Sequence, residues 1–487
     1  MTTLQLQDAG LLKTQAYVNG EWLDADNGNT FAVTNPSTGE VIAQVADLGA
    51  AETNRAIEAA EAAMQSWRQK TAKERSAVLR KWHDLMLANQ EDLAIIMTAE
   101  QGKILAESRG EVAYGASYAE WFAEEGKRVY GDVIPNTTAD RRSVVIRQPI
   151  GVVAAVTPWN FPNAMITRKA APALAVGCSV VLKPAAETPL SALALAELAE
   201  RAGLPAGLFN VVTGINAPAI GEQLTGNPLV KKFSFTGSTP VGKQLMALCA
   251  TTVKRTSMEL GGNAPVLVFA DADLDKAVAG AIGTKFRNAG QTCICANRIL
   301  VEDSVYDAFV EKFTAKVSEF VLGDGFAEGT HIGPLITDKA SAKVQSLVDD
   351  AVAKGAAVTV GGQIDALGEN FYQPTVLANL SNDMRVSKEE IFGPVAPIFR
   401  FSDEAEAVKM ANDTEFGLAA YMFTENMSRT WRVSEALEYG MVGVNEVAIS
   451  SEMIPFGGVK ESGQGREGSK YGLDDYLETK YICMGGI

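Results

Sequence analysis

Hydrophobic residues recur along the chain with two different periods, and the changes of period divide it into regions. Residues 17–45 alternate β-prone segments with Asn-Gly and Gly turns, which predicts hairpins. From residue 50 to about residue 126 the apolar positions follow helical spacing with few breakers, which predicts several helices. Residues 143–147 and 152–156 are β-patterned. The first segment suits an outlying ribbon, and the second is apolar throughout, as in a buried parallel strand.

Beyond residue 156, strand-like and helix-like segments alternate. The strand patterns are SVVLK (179–183), FNVVTG, KKFSFTG and RTSMELGG, with helix patterns between them. This alternation predicts an α/β fold with a doubly wound parallel sheet, whose ligands bind at the carboxyl ends of the strands. A second α/β region starts near residue 265, and the last residues again have β character.

Composition and charge narrow the class of protein. The chain has 487 residues, 47% hydrophobic and 21% charged, as expected for a globular protein of two or three domains. No apolar run is long enough to cross a bilayer and the formal charge is −16, so we predict no membrane and no nucleic-acid partner. Scattered cysteines and the lack of a secretion-signal pattern predict a cytoplasmic location. Only two histidines are present and the cysteines are unpaired in sequence, so we predict no metal.

The segment KFRNAGQTCICANRI (285–299) contains the most informative cysteine. Cys293 lies in a Gly-containing loop between a helix pattern at 272–287 and a β pattern at 298–301, and such loops often carry reactive residues. A single cysteine is more often a small buried hydrophobic residue, so the segment alone leaves both interpretations open. MELGGNAP adds Glu259 and TPWNFP adds Asn160, each at the end of a β-like run. Taken alone, Glu259 would be a solvated acid and Asn160 a turn residue.

These segments, with EEIFGP (389–394) and PFGGVKESG (455–463), resemble the signatures of the aldehyde dehydrogenase superfamily in content and order. The resemblance implies an aldehyde dehydrogenase-like α/β fold with three parts. A Rossmann-type, parallel-sheet cofactor domain would comprise residues 1–126 and 147–256, and an α/β catalytic domain with the Cys loop would comprise 257–460. A small β oligomerisation ribbon and the C-terminal tail would comprise 127–146 and 461–487. In relatives the tail pairs with the ribbon of a neighbouring subunit, which implies a homodimer or homotetramer. The alternative is an edge strand of the same subunit.

The resemblance also implies catalytic roles. Cys293 would attack an aldehyde to form a thiohemiacetal and then a thioester, and the Asn160 amide with the Cys293 backbone N–H would stabilise the oxyanion. Glu259 would activate the water that hydrolyses the thioester. Lys169 and Glu467 match positions of a proton path from Glu259, although GREGS in this chain departs from the GRELG of many relatives.

Cys295 lies two residues after Cys293. It is either a packed thiol or a redox partner, forming a reversible disulfide with Cys293 that would switch activity off. A bridge at such short separation would require the loop to rearrange.

The predicted cofactor site lies at a strand-to-helix turn. No G-x-G-x-x-G fingerprint follows the strand patterns, and the nearest equivalent is FTGSTPVGK, where Gly237 ends a strand and Ser238 or Thr239 can cap a helix. A helix N-terminus attracts pyrophosphate, but a merely well-capped helix fits the spacing equally well. The resemblance favours the dinucleotide. It also implies that Glu390 binds the nicotinamide ribose and that Phe392 packs near the nicotinamide ring. Thr157 and Trp159 would make further contacts with the cofactor.

The choice between NADP and NAD depends on Lys183 and its neighbours. NAD-preferring relatives commonly carry a Glu three residues after this Lys, which grips the ribose hydroxyls and repels a 2′-phosphate. Ala186 occupies that position in this chain. Lys183 is then free to pair with the phosphate, so we predict NADP as the preferred cofactor with NAD also used. In the alternative, Glu187 turns inward and restores the preference for NAD.

The substrate prediction rests on two arginines. Arg168 and Arg287 lie in segments that the family places around the aldehyde entrance, where many relatives carry apolar or aromatic residues. Two arginines can clamp a carboxylate, and with Ser450 they match the carboxylate-binding set of succinate-semialdehyde dehydrogenases. The resemblance therefore implies succinate semialdehyde as the small-molecule substrate. Surface salt bridges are the alternative for the arginines. Glutarate semialdehyde is the alternative substrate, since one methylene group discriminates by only ~1–3 kcal/mol.

Three other functions compete with this one. A CoA-acylating aldehyde dehydrogenase generally lacks the water-activating Glu found here in MELGG. A cysteine hydrolase would need neither Lys183 nor the FTGS turn, and a non-catalytic relative would not need Cys293, Glu259 and Asn160 together.

Overall fold

The structure, a computed structural model, describes residues 4–487. Its helices are α1 Ala50–Trp67, α2 Ala72–Ala88, α3 Gln90–Gln101, α4 Leu105–Glu125, α5 Ala164–Val176, α6 Pro189–Arg201, α7 Ala217–Gly226, α8 Thr239–Ala250, α9 Leu274–Phe286, α10 Asp303–Val317, α11 Asp338–Ala353, α12 Glu404–Asn412 and α13 Met427–Ala436. Its strands are β1 Ala16–Val18, β2 Glu21–Leu23, β3 Thr30–Thr34, β4 Val41–Ala46, β5 Asp132–Ile134, β6 Arg141–Pro149, β7 Val152–Val156, β8 Ser179–Lys183, β9 Phe209–Val211, β10 Val230–Thr236, β11 Arg255–Glu259, β12 Ala264–Val268, β13 Ala296–Glu302, β14 Ala357–Val360, β15 Thr375–Ala378, β16 Val395–Phe401, β17 Ala419–Phe423, β18 Met441–Val444, β19 Gly463–Gln464 and β20 Leu477–Gly485. Among these described helices, none is long and apolar enough to span a membrane.

The first large sheet has the order β19-β11-β10-β7-β8-β9-β1-β2. Its central strands, β11, β10, β7, β8 and β9, are parallel, and β7 and β8 have the bounds that the sequence predicts. The chain enters this sheet through the β1–β2 hairpin, and β3 and β4 form the second predicted hairpin. Parallel strands put their carboxyl ends at one edge, so the turns that carry Thr157, Lys183, Gly237 and Glu259 lie on the same side of the sheet.

The second large sheet has the order β14-β15-β16-β13-β12-β17-β18, with only the edge strand β14 antiparallel among the described pairings. The short apolar strands β12, β13 and β17 are buried along almost their whole length, as parallel strands covered by helices on both faces are. Cys293 lies in the connection from α9 to β13, just before the first residue of β13.

A three-stranded ribbon of order β20-β6-β5 completes the described strands. β20 pairs antiparallel with β6 of the same chain, from Leu477 opposite Pro149 to Gly485 opposite Arg141. β20 thus pairs within its own subunit, and pairing with a neighbouring subunit stays a prediction. β6 is also longer than the predicted segment 143–147 and crosses the predicted boundary at residue 146. The division into domains stays a prediction.

The C-terminal segment returns to the first sheet beside the predicted base. Gly463 pairs with Glu259, and Gln464 pairs with Met258, as the antiparallel edge strand β19. Gly463 has φ +120°, a backbone conformation that L side chains rarely adopt, and a Cβ atom there would overlap the carbonyl oxygen of Met258. Glycine at this position allows the close approach that fixes the end of β11.

We predict that Gly463→Ala lowers the free energy of unfolding by about 2–3 kcal/mol, because it adds both backbone strain and a steric clash. Chemical denaturation would measure the loss. Gly226→Ala is the matched control, since a Cβ atom on Gly226 meets nothing within 4 Å. Equal stability of the two variants would contradict the prediction.

Candidate active site

One cavity of about 270 Å³ opens between the two large sheets. It is lined by seven of the predicted site residues: Trp159, Asn160, Gly237, Ser238, Cys293, Glu390 and Phe392. Residues that sequence reasoning did not single out also line it: Pro158, Met165, Thr236, Leu260, Gly261, Ala340, Lys343 and Ile391. Thr157 and Lys183 lie on neighbouring strands, where the Thr157 backbone N–H donates to the Lys183 carbonyl at 3.2 Å.

The cysteine loop has an unusual backbone. After α9 ends at Phe286, Asn288, Ala289 and Gly290 have φ values of 51°, 55° and 76°. Non-glycine residues in this region cost of order 1–3 kcal/mol each and persist only where surrounding contacts fix them. One such contact lies at the far end of the loop, where the hydroxyl of Tyr421, a residue of β17, donates to the Ile294 carbonyl at 2.8 Å. The half-buried Cys293 thus faces the cavity from a fixed loop.

The Cys293 thiol is not pre-ionised by its surroundings. Burial raises its pKa to about 12, and the Arg168 guanidinium opposes that rise. A thiol in this state is predominantly protonated at neutral pH and needs a proton acceptor before it acts as a nucleophile.

Asn160 is buried and held from several sides. Its side-chain Nδ2 donates to the Gln291 carbonyl at 2.9 Å. Its backbone carbonyl accepts from Lys103 Nζ at 2.7 Å and from Asn288 Nδ2 at 3.0 Å. Because an amide nitrogen carries two N–H groups, one is left for a ligand in the cavity. The position and chemistry of Asn160 suit an oxyanion donor.

Glu259 is almost fully buried, so the interpretation as a solvated acid is wrong. Its Oε2 has no hydrogen-bond partner in the described structure. Burial, followed by the nearby Glu467 carboxylate, raises the pKa of Glu259 well above its usual value. A carboxylate whose pKa is raised is a stronger base than an ordinary one, which suits a general base.

Glu467 is the ionised partner of Glu259. Lys169 Nζ donates to Glu467 Oε1 at 2.5 Å, and Arg168 Nε lies 2.9 Å from Glu467 Oε2. Although burial works in the opposite direction, Lys169 and Arg168 hold the pKa of Glu467 below its usual value. The structure therefore brings the predicted proton-path residues Lys169 and Glu467 together.

Arg168 is fully buried, which overturns its interpretation as a surface salt bridge. Its guanidinium carbon lies 3.9 Å from the centre of the Phe456 ring and 5.5 Å from that of Tyr118. Nη2 has no hydrogen-bond partner among the described residues, and Nε, although close to Glu467, lacks hydrogen-bond geometry to it. Glu467 supplies one anion beside this buried guanidinium, and Nη2 is left as a donor that costs free energy until an acceptor reaches it.

Ser450 is connected to Arg168 through two tyrosines of α4. The Tyr114 hydroxyl bonds the Tyr118 hydroxyl at 2.8 Å and also the Ser450 hydroxyl, and the Tyr118 ring lies beside Arg168. Sequence reasoning missed both tyrosines. Their spacing of four on a helix was the only available signal, and it is equally common in cores.

Arg287 lies elsewhere on the cysteine loop. It is exposed, it contacts the Phe161 ring at 5.1 Å, and it forms no ion pair with a described carboxylate. A second cavity of about 210 Å³ is lined by Arg287 together with Lys103, Glu107, Gly110, Phe161 and Asn288. Phe161 follows Asn160 directly, so this cavity adjoins the loop of the predicted oxyanion donor.

The cofactor end of the main cavity has an aromatic wall and an acid. The Trp159 and Phe392 rings meet edge to face at 5.5 Å, and Phe392 has the strained φ of 57°. Glu390 Oε1 accepts from the Gly262 backbone N–H at 3.0 Å, and burial raises the pKa of Glu390 to about 7. Lys343 Nζ, which sequence reasoning missed, donates to the Glu390 carbonyl at 2.7 Å.

The α8 turn and Lys183 fit an anionic group. Ser238 is the residue before α8, but the predicted side-chain cap is absent there, and the hydroxyl of Thr239 donates to the Glu461 carbonyl instead. The N-terminal N–H groups of α8 are thus free of a side-chain cap. Lys183 Nζ donates only to the Pro184 carbonyl at 3.0 Å and has no ion pair with the exposed Glu187 within the described structure. Ala186 is half-buried and leaves Lys183 without an acidic neighbour three residues on.

Comparison with known proteins identifies the family. The model of the aldehyde dehydrogenase family matches residues 22–482. The chain belongs to the aldehyde dehydrogenase family. A crystal structure described as that of an E. coli NADP dependent enzyme is similar to it with a TM-score of 0.98 and 60% identity, covering 99% of this chain and 100% of that one. The predicted fold and the predicted NAD(P)-dependent aldehyde dehydrogenase activity are confirmed.

Curated relatives differ in the substrate that their names give. Glutarate-semialdehyde dehydrogenase of Pseudomonas putida KT2440 is 63% identical, and succinate-semialdehyde dehydrogenase [NADP(+)] of Escherichia coli K12 is 61% identical. Each match covers 99% of this chain and 100% of the relative. A 3-sulfolactaldehyde dehydrogenase of Pseudomonas putida is also 61% identical, over 99% of both chains.

Cys295 is a packed thiol in this dehydrogenase. It is buried, its Sγ lies 3.4 Å from Lys285 Nζ, and it also contacts the Lys285 carbonyl at 3.5 Å. All five cysteines are free. A disulfide with Cys293 would have to break the contacts with Lys285. No group of three or more potential metal ligands occurs within residues 4–487.

We predict that alkylation of Cys293 by iodoacetamide in the cofactor-free dehydrogenase accelerates roughly tenfold per pH unit from pH 7 to 10, because only the thiolate reacts and the pKa of Cys293 is raised. Peptide mass spectrometry would follow the site. Cys293→Ala removes the labelled peptide and should abolish turnover, and the exposed Cys483 reports on the reagent itself. A rate that becomes constant by pH 8 would contradict the prediction.

Proposed function

We propose that this dehydrogenase oxidises succinate semialdehyde to succinate, with NADP preferred and NAD also used. The observation that carries the proposal is the buried Arg168 guanidinium, which has unused donors close enough to Cys293 to affect the pKa of its thiol. A short aldehyde with a carboxylate at its far end would satisfy those donors while presenting its carbonyl to Cys293. Such a cation is notable in a chain with a net charge of −16.

Three relatives support an anionic substrate. The aldehydes in their names, glutarate semialdehyde, succinate semialdehyde and 3-sulfolactaldehyde, each carry a carboxylate or sulfonate away from the aldehyde group. Arg287 and Ser450 would add donors for this group, Arg287 from the cysteine loop and Ser450 through the Tyr114–Tyr118 pair. The relative named for glutarate semialdehyde makes that aldehyde the second candidate, because an extra methylene group costs a pocket only ~1–3 kcal/mol.

The proposed chemistry assigns a task to each side chain. Cys293 gives its proton to Glu259 as its sulfur bonds the aldehyde carbon, giving a thiohemiacetal whose oxyanion accepts from Asn160 and the Cys293 backbone N–H. A nicotinamide cofactor, which Lys183, the start of α8, Glu390 and Phe392 would hold, would supply the acceptor for the hydride that this adduct must lose to become a thioester. Glu259 would pass the Cys293 proton on to the Glu467 carboxylate, which is paired with Lys169, and so become a carboxylate again. Glu259 then removes a proton from water as the water oxygen bonds the thioester carbon, and the C–S bond breaks to release the acid and the Cys293 thiolate, which takes that proton from Glu259.

We also propose that the dehydrogenase is a cytoplasmic homodimer or homotetramer. The ribbon exposes apolar side chains on β5 and β20, where Val133 is 77% exposed and Tyr481 is 59% exposed. Exposed apolar residues on a paired strand favour cover by a second copy.

The first prediction concerns the carboxylate clamp. Arg287→Ala should lower kcat/KM for succinate semialdehyde by about tenfold to a hundredfold and leave that for butanal nearly unchanged, since it removes a charge-assisted hydrogen bond of ~1.5–3 kcal/mol that butanal does not make. Arg168→Ala should lower both, because Arg168 also faces Glu467 and the Cys293 thiol.

Steady-state kinetics with both aldehydes would measure this selectivity. Arg128→Ala is the matched control, an exposed arginine whose ion pair is with Glu125. A similar loss for both aldehydes in Arg287→Ala would remove the support that Arg287 gives to the semialdehyde assignment.

The second prediction concerns the cofactor. Ala186→Glu should shift preference toward NAD by about tenfold or more, since a carboxylate near Lys183 would bond the ribose hydroxyls and repel a 2′-phosphate. The ratio of kcat/KM for NADP to that for NAD would measure the shift, with Ala186→Gln as the uncharged control. An unchanged ratio would assign the choice to Glu187 or another residue.

A further inference from the structure

A fully buried ion pair lies behind the loop of the predicted oxyanion donor. Lys103 Nζ lies 2.5 Å from Glu111 Oε2, and both side chains are 1% exposed. Lys103 follows the end of α3, where Gly102 turns the chain with φ 91°, and Glu111 projects from α4. Neither residue contacts the cavity of Cys293, and neither has a task in the chemistry proposed above.

Both members of the pair use their remaining hydrogen bonds on one short segment. Lys103 Nζ donates to the Asn160 carbonyl at 2.7 Å. Glu111 Oε1 accepts from the backbone N–H groups of Asn163 at 2.9 Å and Ala164 at 3.2 Å. Those N–H groups belong to the first turn of α5, the helix that carries Arg168 and Lys169. The pair therefore fixes both ends of the segment from residue 160 to residue 164.

The same carbonyl of Asn160 is also tied to the cysteine loop. Asn288 Nδ2 donates to it at 3.0 Å, and the Asn288 backbone N–H donates to Glu107 Oε1 at 2.9 Å. On the other side of the residue, Asn160 Nδ2 donates to the Gln291 carbonyl. Asn160 thus lies between a charged pair from α3 and α4 and the loop that presents Cys293.

Stability alone is a weak explanation for such a pair. Removing two charges from water is costly, and well-packed apolar residues often stabilise a fold as well as a buried ion pair does. Burial lowers the pKa of Lys103, and Glu111 opposes that effect. What an apolar pair could not supply is a directed bond to a main-chain carbonyl and an acceptor for two helix N-terminal N–H groups.

We propose that Lys103 and Glu111 are positioning residues, which hold the Asn160 amide and the start of α5 in register with Cys293. The proposal rests on the role of Asn160 in the proposed function. Its physical basis is that a displacement of about 1 Å in a reacting group can cost of order 100-fold in rate.

A double-mutant cycle on the full-length dehydrogenase tests the proposal. Asn160→Ala should lower kcat with succinate semialdehyde by about 100-fold to 1000-fold, as loss of an oxyanion donor does. Lys103→Met should lower kcat by up to ~100-fold and leave the KM for NADP within about twofold. In the Asn160→Ala background, Lys103→Met should lower kcat by no more than about a further threefold, because the effects of residues that act through one another are not additive.

Two further variants isolate position from folding. Glu111→Gln keeps an oxygen acceptor for the N–H groups of Asn163 and Ala164 but turns an amide NH2 toward Lys103, so it is combined with Lys103→Met. The kcat of this neutral pair should lie within about threefold of that of Lys103→Met, and the pair takes the place of Lys103→Met in the cycle if the single variant does not fold. Lys254→Met is the control for the loss of a buried lysine, since Lys254 Nζ donates to the carbonyls of Asn227 and Val230, away from Asn160. It should lower stability and show no coupling to Asn160→Ala.

The outcomes separate the two proposals. Losses from Lys103→Met that multiply with those from Asn160→Ala would overturn the positioning role while leaving the role of Asn160 intact. An Asn160→Ala variant with wild-type kcat would overturn the oxyanion role itself, and the positioning role with it.

Discussion

The site depends on a buried group of four charged or titratable side chains: two cations, Arg168 and Lys169, face two carboxyl groups, Glu259 and Glu467. If both carboxyl groups were ionised, they would balance the two cations but place two like charges beside each other, away from water; if both were neutral, the cations would be unpaired. Burial raises the pKa of Glu259, while Lys169 and Arg168 lower that of Glu467. Glu259 is thus left able to exchange a proton, and Glu467 pairs with the two cations.

This arrangement places demands on the fold. Glu259 ends β11 and is held by the antiparallel contact with Gly463, whereas Arg168 and Lys169 are adjacent residues of α5. Glu467 comes from the C-terminal segment. Three distant parts of the chain must therefore be placed to within a hydrogen-bond length. The first sheet meets this demand, because the edge strand β19 returns beside the end of β11 and Glu467 follows three residues after it.

Sequence patterns predicted the architecture well and the contacts poorly. β7 and β8 have their predicted bounds because continuous apolar runs leave few other structures possible. Ser238 precedes α8 as expected, but its side chain makes no capping bond, and the hydroxyl of Thr239, the other predicted cap, donates to the carbonyl of Glu461, 222 residues away. Sequence reasoning missed Tyr114 and Lys103 because their contacts, too, are with residues distant in sequence. Their partners are 336 and 57 residues away, and nothing in local spacing distinguishes such residues from ordinary helix or loop positions.

The two tasks of Arg168 oppose each other. As a cation near Cys293 it lowers the pKa of a thiol that burial raises, and so favours the nucleophile. A carboxylate bound to Arg168 would partly cancel that charge, so binding of the preferred substrate would make ionisation of Cys293 harder. The cost is tolerable if the proton leaves for Glu259 only as sulfur bonds the carbonyl, because the developing negative charge then moves to the oxyanion beside Asn160. Raised pKa values for both Cys293 and Glu259 suit that concerted order better than a preformed thiolate does.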